Sequence, residues 1–333
     1  DGDALFVMNL ADRRIYRYRT ADATLLDALP TGGAGEPWSV DARPFALAVR
    51  GDTLFHGVVD AAERSQSPAD LAAMVYASDL DGAGMRQVAR VDLDFERGLV
   101  DRPAGIAARW GPWSDRFVFK PGPAAGTGWN IQPQPLLSDI VFNAAGDMVL
   151  GFRDRYGDMG FYDPSGRNPN GEGTTIPAGD VVLARRSGDT WQAQTTPEFF
   201  AGDAGPGSGG SPAHDETGFG GLAWLDAGDE VVTSATTPLA AITGGALWFD
   251  AAGGANTARR ELYRWAGGLH FAKANGLGDV ELLCELPPPD APTATVPPPS
   301  PTATSTSPPS PTHTPAPTPT ASPTPAATAP ARR

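Results

Sequence analysis

The sequence predicts an all-β fold, a β-propeller followed by a disordered Pro/Thr-rich tail. Three observations predict it. A strand–Gly-Asp–strand unit recurs along the chain. About twenty short strand patterns precede residue 287, with no convincing amphipathic helix among them. Beyond that point lie 17 of the 34 prolines, in residues 287–333. Glycine permits φ > 0 and aspartate bonds its own backbone, so Gly-Asp between two alternating runs is hairpin chemistry.

The elements follow in order. Residues 5–9 and 15–19 alternate as strands. Residues 45–49, Gly51-Asp52 and residues 53–59 form the first hairpin unit. Pro68 after Ser67 suits a single helical turn, because proline is pre-organised for a first helical position. Strand patterns recur at 73–78, 87–95 and 116–119. Further hairpins turn at Gly146-Asp147, Gly188-Asp189 and Gly228-Asp229, and strands are expected at 246–250, 261–265 and 280–286. A sandwich of this size would need two domains and a linker, yet the first linker-like segment begins at Pro287. Blades of roughly 40–45 residues give five to seven, six being the best single figure after long inserts at 121–135 and 201–212. The domains are therefore 1–286, the propeller, and 287–333, a Pro/Thr/Ser/Ala stalk or linker.

The tail holds no Phe, Tyr, Trp, Leu or Ile, so it has nothing to bury against the entropy of ordering. Its prolines remove backbone donors and favour an extended chain, a composition typical of stalks on exported proteins. An extracellular or cell-surface location is expected. A chain starting at Asp1 is expected to have lost a signal segment or to be part of something longer.

The formal charge is −14, and more negative for the part before Ala291, since the rest carries only Arg332 and Arg333. That charge disfavours nucleic acid and anionic membranes as partners. No apolar run is long enough to span a bilayer. Cys284 is the single cysteine, so no internal disulfide is available and it reads as a small core residue. A monomer facing an unknown surface partner or glycan is expected.

Several segments together carry a resemblance. They are residues 43–49, 57–63 with 68–71, 134–140, 146–155, 214–217 and 272–281. In this order they resemble the N-terminal propeller-like region of large bacterial surface proteins that carry SdrD B-like repeats. The blocks Gly146 to Arg155 and Lys273 to Asp279 are the most specific. The resemblance implies a propeller and surface location, and no established activity. The proline-rich tail departs from it, standing where repeat modules usually follow. Asp60 stands where many relatives carry a cysteine, which would leave Cys284 unpaired.

Candidate site residues fall in two clusters. Arg153, Asp154, Arg155 and Asp158 end a strand, where they would bind a ligand or tie neighbouring blades. Asp139, Asp154 and Asp158 are the candidate oxygen ligands for Ca²⁺, the one cofactor the acidic loops suit. His214 beside Asp215 and Glu216 pairs an imidazole with two acids, which suits binding or, in the alternative reading, acid–base catalysis. Asp79 to Gly84 begins like a calcium loop but lacks its later acids, and reads as a turn. Residues 205–210 are glycine-rich without the Lys-Ser/Thr of a phosphate loop, and no nucleophile elbow or zinc motif is present. Trp38, Trp110, Trp113 and Trp129 lie in Pro/Gly-rich loops, either braced against the domain or available for stacking. The expected function is a non-catalytic, exported or cell-surface propeller on a stalk. The alternative is a calcium-dependent propeller hydrolase or lactonase.

Overall fold

The computed structural model describes residues 2–102, 105–115, 129–130, 132–159, 174–206, 212–240, 243–264 and 277–282. All belong to the first of two compact units, Asp1–Pro289. Cys284, the stalk, residues 116–119 and most of the 205–210 loop lie outside the described residues.

Among the described residues the main sheets have three, eight and four strands, the eight-stranded one made of two four-stranded antiparallel halves, the second and third sheets. The first comprises β1 (Ala4–Asn9), β2 (Arg14–Arg19) and β3 (Leu25–Pro30). The second comprises β4 (Ala42–Arg50), β5 (Thr53–Asp60), β6 (Ala72–Asp79) and β7 (Arg86–Asp92). Short strands β8 (Leu99–Asp101), β9 (Ile106–Ala107) and β10 (Trp129–Asn130) follow. The third sheet holds β11 (Pro135–Phe142) and β12 (Met148–Asp154), then, after the two-residue β13 (Thr174–Thr175), β14 (Asp180–Ser187) and β15 (Thr190–Gln194). After the short β16 (Gly205–Pro206) and β17 (Pro212–His214), the fourth sheet runs through β18 (Gly218–Leu225), β19 (Glu230–Thr236), β20 (Thr243–Asp250) and β21 (Asn256–Arg264).

Each four-stranded sheet is a meander of sequential neighbours, the propeller blade pattern. All four Gly-Asp turns close hairpins, with Arg50 opposite Thr53, Phe142 opposite Met148, Ser187 opposite Thr190 and Leu225 opposite Glu230. The second and third sheets also join at one edge, where Ala89 and Arg90 pair in parallel with Trp191 and Gln192.

The sheets stack face to face, and strand alternation shows how. Side chains of one strand point to opposite faces in turn. On β12, Met148, Leu150 and Phe152 enter the core shared with Phe55, Val59 and Val75 of the second sheet. Val149, between them, enters the core shared with Val231, Leu247 and Phe249 of the fourth. Strands covered on both faces need nearly continuous apolar runs, as β5, β6 and β12 have. Ile15 and Leu29 of the first sheet pack with Leu54 of the second. The other face of the first sheet leaves Leu5 55% and Leu25 48% exposed.

Three differences from the sequence reading have physical causes. Blade-like units among the described residues are the three-stranded sheet, the two halves of the eight-stranded sheet and the four-stranded sheet. The figure of six divided chain length by blade length, but between β7 and β11 and between β12 and β14 the described residues form short strands, one five-residue helix α1 (Arg155–Met159) and loops. The final strand expected at 280–286 is not one over residues 280–282. Residues 277–282 instead dock by specific bonds: Arg153 Nη1 donates to Leu277 O at 2.9 Å and Ser234 Oγ to Gly278 O at 2.9 Å. Strand β3 carries no alternating pattern, because Leu25, Leu26 and Asp27 break it. Pro68–Asp70 does form the expected helical turn, as a 3-10 turn, and Asp79 to Gly84 folds as the β6–β7 turn, with Ala83 N–H bonded to Asp81. No helix among the described residues is long and apolar enough to cross a membrane.

Candidate functional site

The alternation of β7 continues past its end. Val91, Leu93, Phe95 and Arg97 are buried, while Asp92, Asp94 and Glu96 are exposed. The chain thus drives a guanidinium into a position where its pattern has been placing apolar side chains. Arg97 is 2% exposed. Gly98 then turns at φ 84°, a conformation a side chain would strain, and any Cβ there would meet Asp215 Oδ2 at 2.7 Å.

Every nitrogen of Arg97 has a partner. Nε donates to Asp180 Oδ2 at 3.1 Å, and Nη1 to Ala108 O at 2.6 Å. Nη2 donates to Ala178 O at 2.9 Å, Gly179 O at 2.6 Å and Glu216 Oε2 at 3.3 Å. The guanidinium lies 3.6 Å from the centroid of the Trp110 ring, a cation–π arrangement out of water. Asp180 opens β14 and Glu216 precedes β18, so the third and fourth sheets each supply an acid to one cation.

Two more carboxylates face this group. Glu198 is half-buried on the loop after β15, and Asp203 is buried with Oδ2 accepting the Thr217 N–H at 2.7 Å. Asp180, Glu198 and Glu216 each offer a carboxylate oxygen within 4.8 Å of the others, the one such group of acids among the described residues. Several acids sharing one guanidinium in a low dielectric cannot all ionise without cost. Burial, then the neighbouring acid Asp180, raises Glu198 to about 8. Burial raises Asp203 to about 7. Asp180 and Glu216 are also raised, chiefly by burial, with Arg97 opposing. Asp180 Oδ1 is buried and accepts no hydrogen bond among the described residues.

The residues marked from sequence are dispersed. Arg153 forms a two-point pair with Asp158, at 2.7 and 2.8 Å. Arg155 binds Asp115 at 2.9 Å and Gln134 Oε1 at 2.6 Å, and lies over Trp113. Asp154 accepts backbone N–H groups of Gln134, Tyr156 and Ala178, while burial raises it to about 7. Asp139 accepts the Leu222 N–H at 2.8 Å, a donor that Asp279 also accepts at 3.2 Å. Burial, then Asp279, raises Asp139 to about 8. Asp139, Asp154 and Asp158 therefore sit on three different sets of partners. Of the 214–216 run, His214 Nδ1 meets Val100 O at 2.6 Å, Asp215 binds Arg102 and the Leu99 N–H, and only Glu216 reaches the Arg97 cluster. Successive residues point apart, which is why three adjacent candidates have three addresses.

Two of the loop tryptophans brace the domain: Trp110 is 3% and Trp113 9% exposed, while Trp38 is half-buried. His56, unmarked from sequence, is fully buried, stacks on Tyr76 and accepts the Gly32 N–H at Nε2 at 2.8 Å. Burial holds it neutral, its pKa lowered to about 4.

No family model matches the chain. Colossin-C of Dictyostelium discoideum is 23% identical over 307 residues, covering 83% of this chain and 28% of that protein. Among solved structures, a gluconolactonase from Xanthomonas campestris is 16% identical at a TM-score of 0.34, covering 78% of this chain and 58% of that one. A GH43_1 enzyme from Xanthomonas citri is 14% identical at a TM-score of 0.32, covering 74% and 65%. The chain spans less than two thirds of each of these relatives.

Proposed function

We propose that the chain is a non-catalytic propeller module of an exported or cell-surface protein, binding or spacing a partner through its loops. In this reading residues 287–333 form a stalk that carries it away from its anchor. The observation that supports it most is the saturation of the marked loop-end residues: Arg153, Asp154, Arg155, Asp158 and His214 all have partners within the chain. A catalytic acid or base needs a free lone pair or proton facing substrate. The resemblance to propellers of SdrD B-like repeat proteins supports the same location.

The full chain should be assayed against lactones and aryl glycosides with calcium present, and applied to a glycan array. The reading expects no turnover and selective retention of one class of ligand. Turnover that disappears in Glu216→Gln would replace it with the hydrolase reading.

A further inference from the structure

We propose that Asp180, Glu198 and Glu216 form a binding site for a hard divalent cation, calcium being the best match, anchored against Arg97. None of the calcium candidates read from the sequence belongs to it.

The geometry fits first. Calcium binds oxygens at about 2.3–2.6 Å, so ligands on opposite sides of one ion stand about 4.6–5.2 Å apart. The three carboxylate oxygens lie within 4.8 Å of one another, inside that span. The donor set is all oxygen, which favours calcium or magnesium over zinc. The ligands come from the first residue of β14 and from two loops, a looser arrangement than the strict octahedron magnesium requires.

Charge supplies the second argument. Three ligand carboxylates and one guanidinium leave two negative charges, three with the neighbouring Asp203, and one divalent cation removes two of them. Without it, the same balance demands protons.

A third observation is independent of the acid count. Asp180 has a side chain 1% exposed, its Oδ2 holds Arg97, and its Oδ1 is buried and meets no hydrogen-bond donor among the described residues. An unsatisfied buried carboxylate oxygen keeps the desolvation cost of its lone pairs without a bond to offset it. A cation would use that lone pair and leave the Arg97 bond intact. Glu198 lines a surface cleft of about 510 Å³ with Gln194, Thr195 and Phe199, through which the ion's remaining water ligands would enter.

Terbium is the probe, because it takes calcium sites and emits when a nearby tryptophan is excited, and Trp110 lies under Arg97. Full chain stripped with EDTA should show sensitised terbium emission that calcium displaces, and calcium should raise its melting temperature by several degrees. Glu198→Gln, on a half-exposed loop, should fold normally and weaken calcium at least tenfold by titration calorimetry. Asp180→Asn should do the same, and Trp110→Phe should lose emission while keeping the calcium response. Absence of both emission and a calcium shift in the native chain would overturn the proposal, leaving a proton-sharing cluster. Full calcium affinity in Glu198→Gln and Asp180→Asn would also overturn it, placing the ion elsewhere.

Discussion

Val182 and Asp180 stand two residues apart on β14 and point to the same side of the sheet. Val182 belongs to the dry core between the second and third sheets. Asp180 belongs to the Arg97 cluster. The two regions meet through aromatic rings: Phe152, in the core, lies 6.1 Å from Trp110, and Trp110 carries the Arg97 guanidinium. The core is held by apolar area, each large side chain worth roughly 1.5–3 kcal/mol, and any residue of the right size and polarity serves nearly as well. The cluster is held by mutual dependence. Remove one member and the others are left charged without partners. One end of the stack is therefore tolerant, the other end poised.

The sharpest way to break the comparison is Arg97→Met, which keeps volume and deletes the charge. It should cost about 3–5 kcal/mol or prevent folding at neutral pH, because Asp180 and Glu216 lose their partner. Urea unfolding measures it, and a loss below about 1 kcal/mol would show the cluster to be no more demanding than the core. Phe152→Ala should cost a similar ~3–5 kcal/mol by cavity formation, but with a pH-independent loss, which separates the two mechanisms. His56 tests whether polar burial elsewhere behaves alike. Its folded pKa lies below its unfolded value, so the unfolded chain binds the extra proton between about pH 6.5 and 4. The His56 contribution to stability should fall as pH drops through that window, by on the order of 3 kcal/mol in all, opposite in sign to the raised acids. The difference between the native chain and His56→Gln isolates it, and a difference that does not change with pH would remove His56 as a titrating group. The smallest effect belongs to the exposed Arg153–Asp158 pair. Asp158→Asn should change stability by no more than about 1 kcal/mol. A larger loss in a melt would mean that the pair also fixes the Leu277 docking bond.

The contrast also explains what could be read from sequence. The core was legible because alternation and Gly-Asp turns are local: all four hairpins formed where their turn chemistry stood. The cluster was not, because Arg97 meets partners 83 and 119 positions away. One signal was present. In the run from Val91 to Arg97, an arginine occupies the inward phase of an alternating strand, and such a residue must find buried acids. Glu216 was marked, but for its neighbours His214 and Asp215, which turn to other partners. Asp139 and Asp154 were marked as metal ligands, while in the fold each receives backbone N–H groups. The docking of residues 277–282 depends on Gly220 and Gly221. At Gly220, φ is 76° and a Cβ would meet Ser138 Oγ at 2.2 Å. At Gly221 it would meet Asp279 Cα at 2.6 Å. Nothing in the local sequence announces that approach.

The central claim is that the Arg97 cluster is over-supplied with acid and relieved by protons or a cation. Its most direct test is the stability of the full chain against pH in the presence of chelator, repeated with calcium. Glu198 and Asp203 are raised to about 8 and 7, so the folded chain holds protons that the unfolded chain has already lost. Their contribution is full below about pH 4 and disappears as pH rises through 7 to 8, with a slope up to ~1.4 kcal/mol per pH unit for each proton difference. Stability in chelator should therefore decline from about pH 5 to 8, and calcium should flatten the decline. A profile in chelator that stays level or rises across that window would contradict the account.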